Sequence, residues 1–220
     1  MKLLTVSDEV VQTIYHDTLR QRMHDVELVL GCGDLPAYYL EYIVSTLNTP
    51  CFYVPGNHDE PEYTESGVDL KAPQGCVNID RRVVRYGGLT IGGLGGSIWY
   101  NGGKYQYTQH MMTARVSAML PRIIWARSRN GYGLDVLITH SPPAGINDGT
   151  GAHAGFKALR WLIQHFPPRY LIHGHVHRNY RMNANIQTKV GSTLVLNTAG
   201  YRVLTIDPLA SVEQHGYNQP

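Results

Sequence analysis

Five short polar clusters punctuate this chain: Ser7-Asp8, Gly31-Cys32-Gly33-Asp34, Pro55-Gly56-Asn57-His58-Asp59, His140-Ser141-Pro142-Pro143 and His173-Gly174-His175-Val176-His177. Apart from Cys32, which is read as a core thiol, the side chains in them that can hold a metal or move a proton are Asp, Asn and His, which offer oxygen and nitrogen donors. A donor set of this kind without thiolate suits Mn, Fe or Zn with five or six ligands, and argues against a Cys-rich structural zinc site. Six candidate ligands exceed what one ion needs, so two adjacent ions sharing a carboxylate is the economical arrangement. Two ions about 3.5–4 Å apart activate a bridging hydroxide and clamp the attacking and leaving oxygens of a phosphoryl group. The competing reading has Asp and Asn capping helices and turns while His fills gaps. That accounts for any single cluster but not for five in succession.

The elements that must position these clusters are legible around them. Each cluster closes a nearly continuous apolar run: Lys2–Ser7, Val26–Leu30, Pro50–Val54, Leu134–Thr139 and Tyr170–His173 read as strands buried on both faces. In an open α/β layout the carboxyl ends of the strands form the ligand crevice, so the clusters should converge there. Helical spacing predicts helices over Val10–His24, Ala37–Leu47 and Phe156–His165, and one long helix over Thr108–Arg127 with a kink at Pro121. Met111, Met112, Val116, Met119, Leu120, Ile123 and Ile124 of that long helix are expected in the core. Val83–Tyr86 and Leu89–Ile91 flank Gly87-Gly88 as a hairpin. Tyr180–Met182, Thr188–Val190, Thr193–Leu196 and Arg202–Ile206 add extended runs with no helix between them, so two sheets with helices outside are expected. Gly92–Gly96 is glycine-rich without a following βαβ helix, and is expected to be a flexible loop. Trp99–Tyr107 is either a packed surface loop or a platform for a flat group such as a nucleobase.

In this order the clusters resemble the calcineurin-like metallophosphoesterase superfamily, whose pattern runs D-x-H, G-D, G-N-H-[DE], a lone H and G-H-x-H. Here the counterparts are Asp8-Glu9-Val10, Gly33-Asp34, Gly56-Asn57-His58-Asp59, His140 and Gly174-His175-Val176-His177. The resemblance implies an α/β fold, a four-layer α/β/β/α sandwich with two mixed sheets, within one domain over residues 1–220. It implies one metal held by Asp8, Asp34 and His177, and a second held by Asp34, Asn57, His140 and His175, with Asp34 bridging. His58 would stand beside the leaving-group oxygen, and His153, in a glycine-rich loop, is a candidate substrate contact. His173 is expected to pack behind the ligands. Two positions depart from the pattern. Val10 replaces the D-x-H histidine, which weakens the first metal site. Ala37 replaces the further Asp of members that act on phosphoproteins, so a protein-phosphatase activity is disfavoured.

Composition bounds the function. The 220 residues are 43% hydrophobic and 16% charged, with a formal charge of +2, which suits a folded domain and excludes disorder. No long basic run advertises a nucleic-acid partner. The cysteines Cys32, Cys51 and Cys76 lack C-x-x-C spacing, fitting free thiols in a reducing compartment, with Cys32 and Cys51 in the core. No apolar stretch is long enough for a membrane span, so a cytoplasmic protein is expected. His16, His24, His110, His165 and His215 lie in no motif. The leading expectation is a metal-dependent phosphodiesterase on a small or nucleotide-like substrate. The alternatives are a nuclease, needing Arg81, Arg82, Arg85, Arg178, Arg181 and Lys189 to form a groove at the site, and a non-catalytic scaffold, which Val10 favours.

Overall fold

The computed structural model describes residues 1–59, 62–63, 69–70, 72–176 and 187–208. In chain order the strands are β1 (Lys2–Ser7), β2 (Leu28–Gly31), β3 (Cys51–Tyr53), β4 (Glu62–Tyr63), β5 (Asp69–Leu70), β6 (Cys76–Asn78), β7 (Val83–Tyr86), β8 (Leu89–Leu94), β9 (Ser97–Ile98), β10 (Gln106–Tyr107), β11 (Val136–Thr139), β12 (Tyr170–His173), β13 (Gln187–Val190), β14 (Thr193–Asn197) and β15 (Gly200–Thr205). The helices are α1 (Leu19–Met23), α2 (Ala37–Leu47), α3 (Gln109–Asn130) and α4 (Lys157–His165).

Two mixed sheets form the centre. The first runs β15-β1-β2-β3-β6 and the second β13-β14-β12-β11-β8-β7. Inner strands pair in parallel, while β15, β7 and β13 join antiparallel at the edges. Strand alternation sorts the apolar side chains into three layers of contact. Leu3 of β1 joins Val136 and Ile138 of β11 between the sheets. The neighbouring Leu4 and Val6 face the other way, toward Leu19 of α1 and Leu40 and Ile43 of α2. Leu137, between the two inward residues of β11, packs with Met119 and Ile123 of α3 and Leu162 of α4. Three apolar interfaces between four layers give the α/β/β/α sandwich.

Several elements differ from expectation. Helix spans only Leu19–Met23 of the segment over Val10–His24, because residues 11–15 close turns in which Ile14 and Tyr15 both bond the Val11 carbonyl, and Thr18 N donates to the His16 ring. Val11 and Ile14 still pack on the first sheet, which is why their spacing looked helical. Gly92–Gly96 is not a free loop: Gly92 and Gly93 belong to β8, every residue of which is buried. The long helix starts after Thr108, whose hydroxyl accepts from Met111 N, and runs through Pro121 to Asn130. One face of it is buried, so Met111 and Ile124, 44% and 50% exposed, are surface residues rather than core. Tyr180–Met182 lies outside the described residues.

Gly93 shows what the packed centre demands, since a Cβ there would come within 2.6 Å of the Ile79 carbonyl and 2.8 Å of Val54 Cγ1. Gly93→Ala is therefore expected to lower stability by about 1–3 kcal/mol. A denaturant midpoint that falls at unchanged slope is the measurement that checks it.

Candidate metal centre

Each sequence cluster follows its strand. Asp8 leaves β1, Asp34 follows β2, and Asn57 and His58 follow β3, all in the first sheet. His140 follows β11 and His175 follows β12 in the second. The parallel strands end on one side, so both sheets deliver side chains to one crevice.

Within it, His140 Nε2 lies 3.0 Å from Asn57 Oδ1 and 3.3 Å from Asp34 Oδ2. Ligand atoms of Asp34, His140 and His175 all fall within 4.8 Å of one another. The His140 and His175 ring centroids are 4.7 Å apart. Asp8 accepts from His175 N at 2.9 and 3.1 Å, and its other partner is the Ser7 hydroxyl. Asp34 Oδ1 accepts from His58 N at 2.7 Å, which leaves the His58 side chain exposed at the mouth. His177 lies outside the described residues.

The backbone turns sharply under these side chains. Asp8, Asp34 and His175 have φ of 65°, 55° and 66°, in the left-handed region that L residues rarely adopt. Such strain persists only where the surroundings over-determine it, and it concentrates at functional sites. Here the restraints are visible: Asp8 N donates to Gly33 O at 3.2 Å, and His175 N to the Asp8 carboxylate. Gly56 and Gly174 are glycine for proximity, not φ, because the space of a Cβ is taken by Asp34 in the first case and by Ser7 and Asp8 in the second.

Hydrogen bonds to carbonyls orient both buried histidines. His140 Nδ1 bonds Cys32 O at 2.8 Å and His175 Nε2 bonds Ala152 O at 2.8 Å. A carbonyl only accepts, so each of these nitrogens carries a proton, and the opposite ones, His175 Nδ1 and the His140 Nε2 that faces Asn57 and Asp34, are those that would face a metal. This is the arrangement by which metal-binding imidazoles are held in one tautomer. The donor set Asp34, Asn57, His140 and His175 thus fits a divalent ion of the Mn, Fe or Zn type.

Charge follows geometry. Burial pulls the His140 pKa down, but the hydrogen bond and charge of Asp34, then the charge of Asp8, outweigh it and push it up to about 9. Asp34 is held below the usual carboxylate range: burial raises it and the His140 partnership lowers it further. Burial and then the His140 charge drive His175 down to about 3. His173, fully buried, is pushed down to about 4 by burial and packs behind the ligands with Nδ1 on Gly174 O at 2.9 Å. Burial lifts Asp59 to about 6; its carboxylate accepts from Gly56 N and Leu35 N and shapes the loop.

Two further residues meet the centre. His153 Nδ1 lies 3.1 Å from His175 O, with its ring 5.0 Å from the His175 ring. Tyr100, which motif reading did not single out, has its hydroxyl 3.2 Å from Asn57 Nδ2. Its only signal in sequence was its place in the aromatic, glycine-rich stretch. Beside Asp8, Asp34 and His58 opens a cavity of about 660 Å³, also lined by Val10, Ala37, Tyr53, Lys104 and Tyr105. Among the basic residues expected to form a groove, Arg81 and Arg82 are exposed just before β7, Arg85 is on β7 and Lys189 on β13, the opposite edges of the second sheet, while Arg178 and Arg181 lie outside the described residues. Among the described residues, no helix is long and apolar enough to cross a membrane.

A two-sheet sandwich with Asp, Asn and His gathered at its strand ends defines a metal-binding phosphoesterase architecture. The chain belongs to the calcineurin-like phosphoesterase family, whose model matches residues 6–179. That family generally binds a dinuclear metal site, and membership supports phosphoester hydrolysis. Among solved structures, one crystal structure is similar with a TM-score of 0.62 and 17% identity, covering 92% of this chain and 94% of its own. TT1561 of Thermus thermophilus is similar with a TM-score of 0.59 and 15% identity, covering 90% of this chain and 89% of its own. Both likenesses concern the fold. No curated protein matches the chain.

Proton bookkeeping tests the geometry. A group whose folded pKa is raised stays protonated in the metal-free fold, so its contribution to stability is complete below about 6.5 and is lost as pH rises through about 9. A metal ligand must be the neutral imidazole, so loading at about pH 7.5 should release a proton from His140, and loading above about pH 10 should not. Titration calorimetry in buffers of different ionisation enthalpy counts that proton. Equal release at both pH values contradicts the His140 assignment.

Proposed function

We propose that the chain is a metal-dependent phosphodiesterase acting on a small or nucleotide-like phosphodiester. The observation that carries this reading is the convergence of Asp34, Asn57, His140 and His175 from two sheets behind an exposed His58. In this reading Asp8, Asp34 and His177 hold one ion, while Asp34, Asn57, His140 and His175 hold the other. Bound there, such ions supply Lewis acidity toward phosphoryl oxygens and lower the pKa of a coordinated water.

The chain's own residues do the rest. Asp34 fixes the His58 backbone, so the imidazole stands over the crevice, where it protonates the leaving oxygen. His153, whose Nδ1 lies against His175 O, would contact a phosphoryl oxygen. The cavity of about 660 Å³ receives the organic groups of the diester, and Ala37 in its wall leaves the room that a carboxylate would take. A small diester is favoured over a polynucleotide because Arg85 and Lys189 sit on opposite sheet edges and none of Arg81, Arg82, Arg85 and Lys189 lines the cavity beside Asp8 and Asp34. The free thiols of Cys32, Cys51 and Cys76 fit a cytoplasmic setting.

His175→Ala and Asn57→Ala should each lower bound metal and activity together, whereas His58→Ala should keep its metal and lose activity by roughly 10²–10⁴-fold. Elemental analysis paired with hydrolysis of an aryl phosphodiester and an aryl phosphomonoester reads both effects. Unchanged metal content in the first two variants removes the ligand assignment; metal without turnover of either ester in the parent protein favours the scaffold reading.

Val10 lines the same cavity as Asp8 and Asp34, so in this reading a histidine there would face the first ion. Val10→His should tighten binding of the second equivalent of metal, followed by calorimetric titration. Identical binding in both proteins would retire the two-ion form of the proposal.

A further inference from the structure

At the other end of β8 lies a hollow that the phosphoesterase site does not use. Thr90 sits four residues before Leu94, whose carbonyl accepts from His140 N at 3.2 Å, so it stands about 13 Å along the strand from the crevice. The hollow, of about 250 Å³, is lined by Arg85 of β7, Thr90 of β8, and Arg122, Trp125, Arg129 and Asn130 of α3. Among the described residues no acidic side chain lines it. We propose that it is a second binding site, for a phosphoryl group carried by a small molecule.

Three features carry the proposal. Arg85 and Arg122 make no ion pair or hydrogen bond among the described residues, and Arg129 lies 5.0 Å over the Trp125 ring. The carboxylate beside Thr90 is already engaged: Asp135 accepts from Thr90 N at 2.8 Å and from Arg169 Nη1 at 3.0 Å. Thr90 itself is 1% exposed, and its Oγ1 has no hydrogen-bond partner. A buried hydroxyl without a partner is costly and uncommon, and marks a place where a polar group is to be met. Strand alternation turns Leu89 and Ile91 to the space between the sheets, so Thr90 faces α3 and the arginines.

The donor count selects the ligand. Guanidinium groups bind oxyanions through paired N–H bonds, and three of them with a hydroxyl exceed the two oxygens of a carboxylate. A phosphoryl group offers the extra acceptors. The flat Trp125 indole, 57% exposed, adds a face for whatever carries it. A hollow this small suits a compact molecule, where a polynucleotide needs a basic stripe along many phosphates.

The test uses the full, metal-loaded chain and inorganic phosphate, followed by tryptophan fluorescence, with Trp125→Phe identifying the signal from this hollow. Thr90→Val should weaken phosphate binding roughly tenfold, since one hydrogen bond to a charged group is lost. It should leave the unfolding midpoint equal or higher, because the unpartnered hydroxyl is gone. Arg122→Gln should weaken binding at least as much, while phosphate inhibition of ester hydrolysis at the crevice stays unchanged. Wild-type binding in both variants overturns the proposal, and so does a parent protein that shows no phosphate signal from Trp125. Tight, steeply salt-dependent binding of a phosphorothioate-linked single strand of about twelve nucleotides, without any binding of phosphate, overturns it in favour of a polynucleotide.

Discussion

The fully buried His140 ring is the joint on which the centre depends. It comes from the second sheet, yet its Nδ1 proton goes to Cys32 O and its Nε2 faces Asp34 and Asn57, all from the first sheet. One imidazole therefore ties the strand ends of two sheets together at the point where chemistry is expected. Apolar packing between the sheets sets their separation, but it is non-directional and fixes no side-chain rotation. The His140 hydrogen bonds supply the direction. Gly33 completes the joint: its φ of 89° suits glycine, and a Cβ there would lie 2.7 Å from His140 Nδ1.

Around this joint, close approach takes precedence over backbone comfort. Asp8, Asp34 and His175 all accept left-handed φ, and two of the three, Asp34 and His175, directly follow a glycine whose side-chain space is already occupied. The glycines preceding them nevertheless do different work. Gly33 bends the chain as well as making room for His140, whereas Gly174 only makes room, for Ser7 and Asp8. A sequence shows the residue type in both cases and cannot separate the two reasons, since each arises from contacts with residues far along the chain.

Most of the strands were legible because they are buried on both faces and end in polar clusters, and the clusters themselves announced the donor set. What escaped was decided by tertiary contact. Gly92 and Gly93 look like loop residues by composition, but β8 is flanked by β11 and β7, and Leu134, Met119 and Val54 fill the space that side chains would claim. Residues 10–18 have apolar positions at helical spacing, yet Asp8 turns the chain and the single helical bond from Tyr15 N to Val11 O is not continued, since Thr18 N turns to the His16 ring. Met111 and Ile124 fail as core residues because the buried face of α3 is narrow: Met112, Val116, Met119 and Ile123 already cover it. Tyr100 carried no motif at all, and only the three-dimensional path of its loop brings it to Asn57.

The histidines of the crevice divide its electrostatics between them. His140 and His175 are both buried, and burial alone would keep both neutral. They diverge because His140 faces Asp34 and Asp8, which hold its proton up to about 9, while His175 faces His140 and is driven to about 3 by burial and that neighbouring charge. A single positive charge is therefore stored opposite the carboxylates when no ion is present, and it occupies the place where a cation is expected to be held. A divalent cation that displaces that proton raises the local charge by one, so the carboxylates face positive charge both before and after loading. The same proton holds the Asp34 carboxyl below the usual carboxylate range despite its burial, which suits the bridging role proposed for it. His58, exposed at the mouth, stands apart from the two buried imidazoles, which separates the group proposed to act on the leaving oxygen from the groups proposed to hold metal.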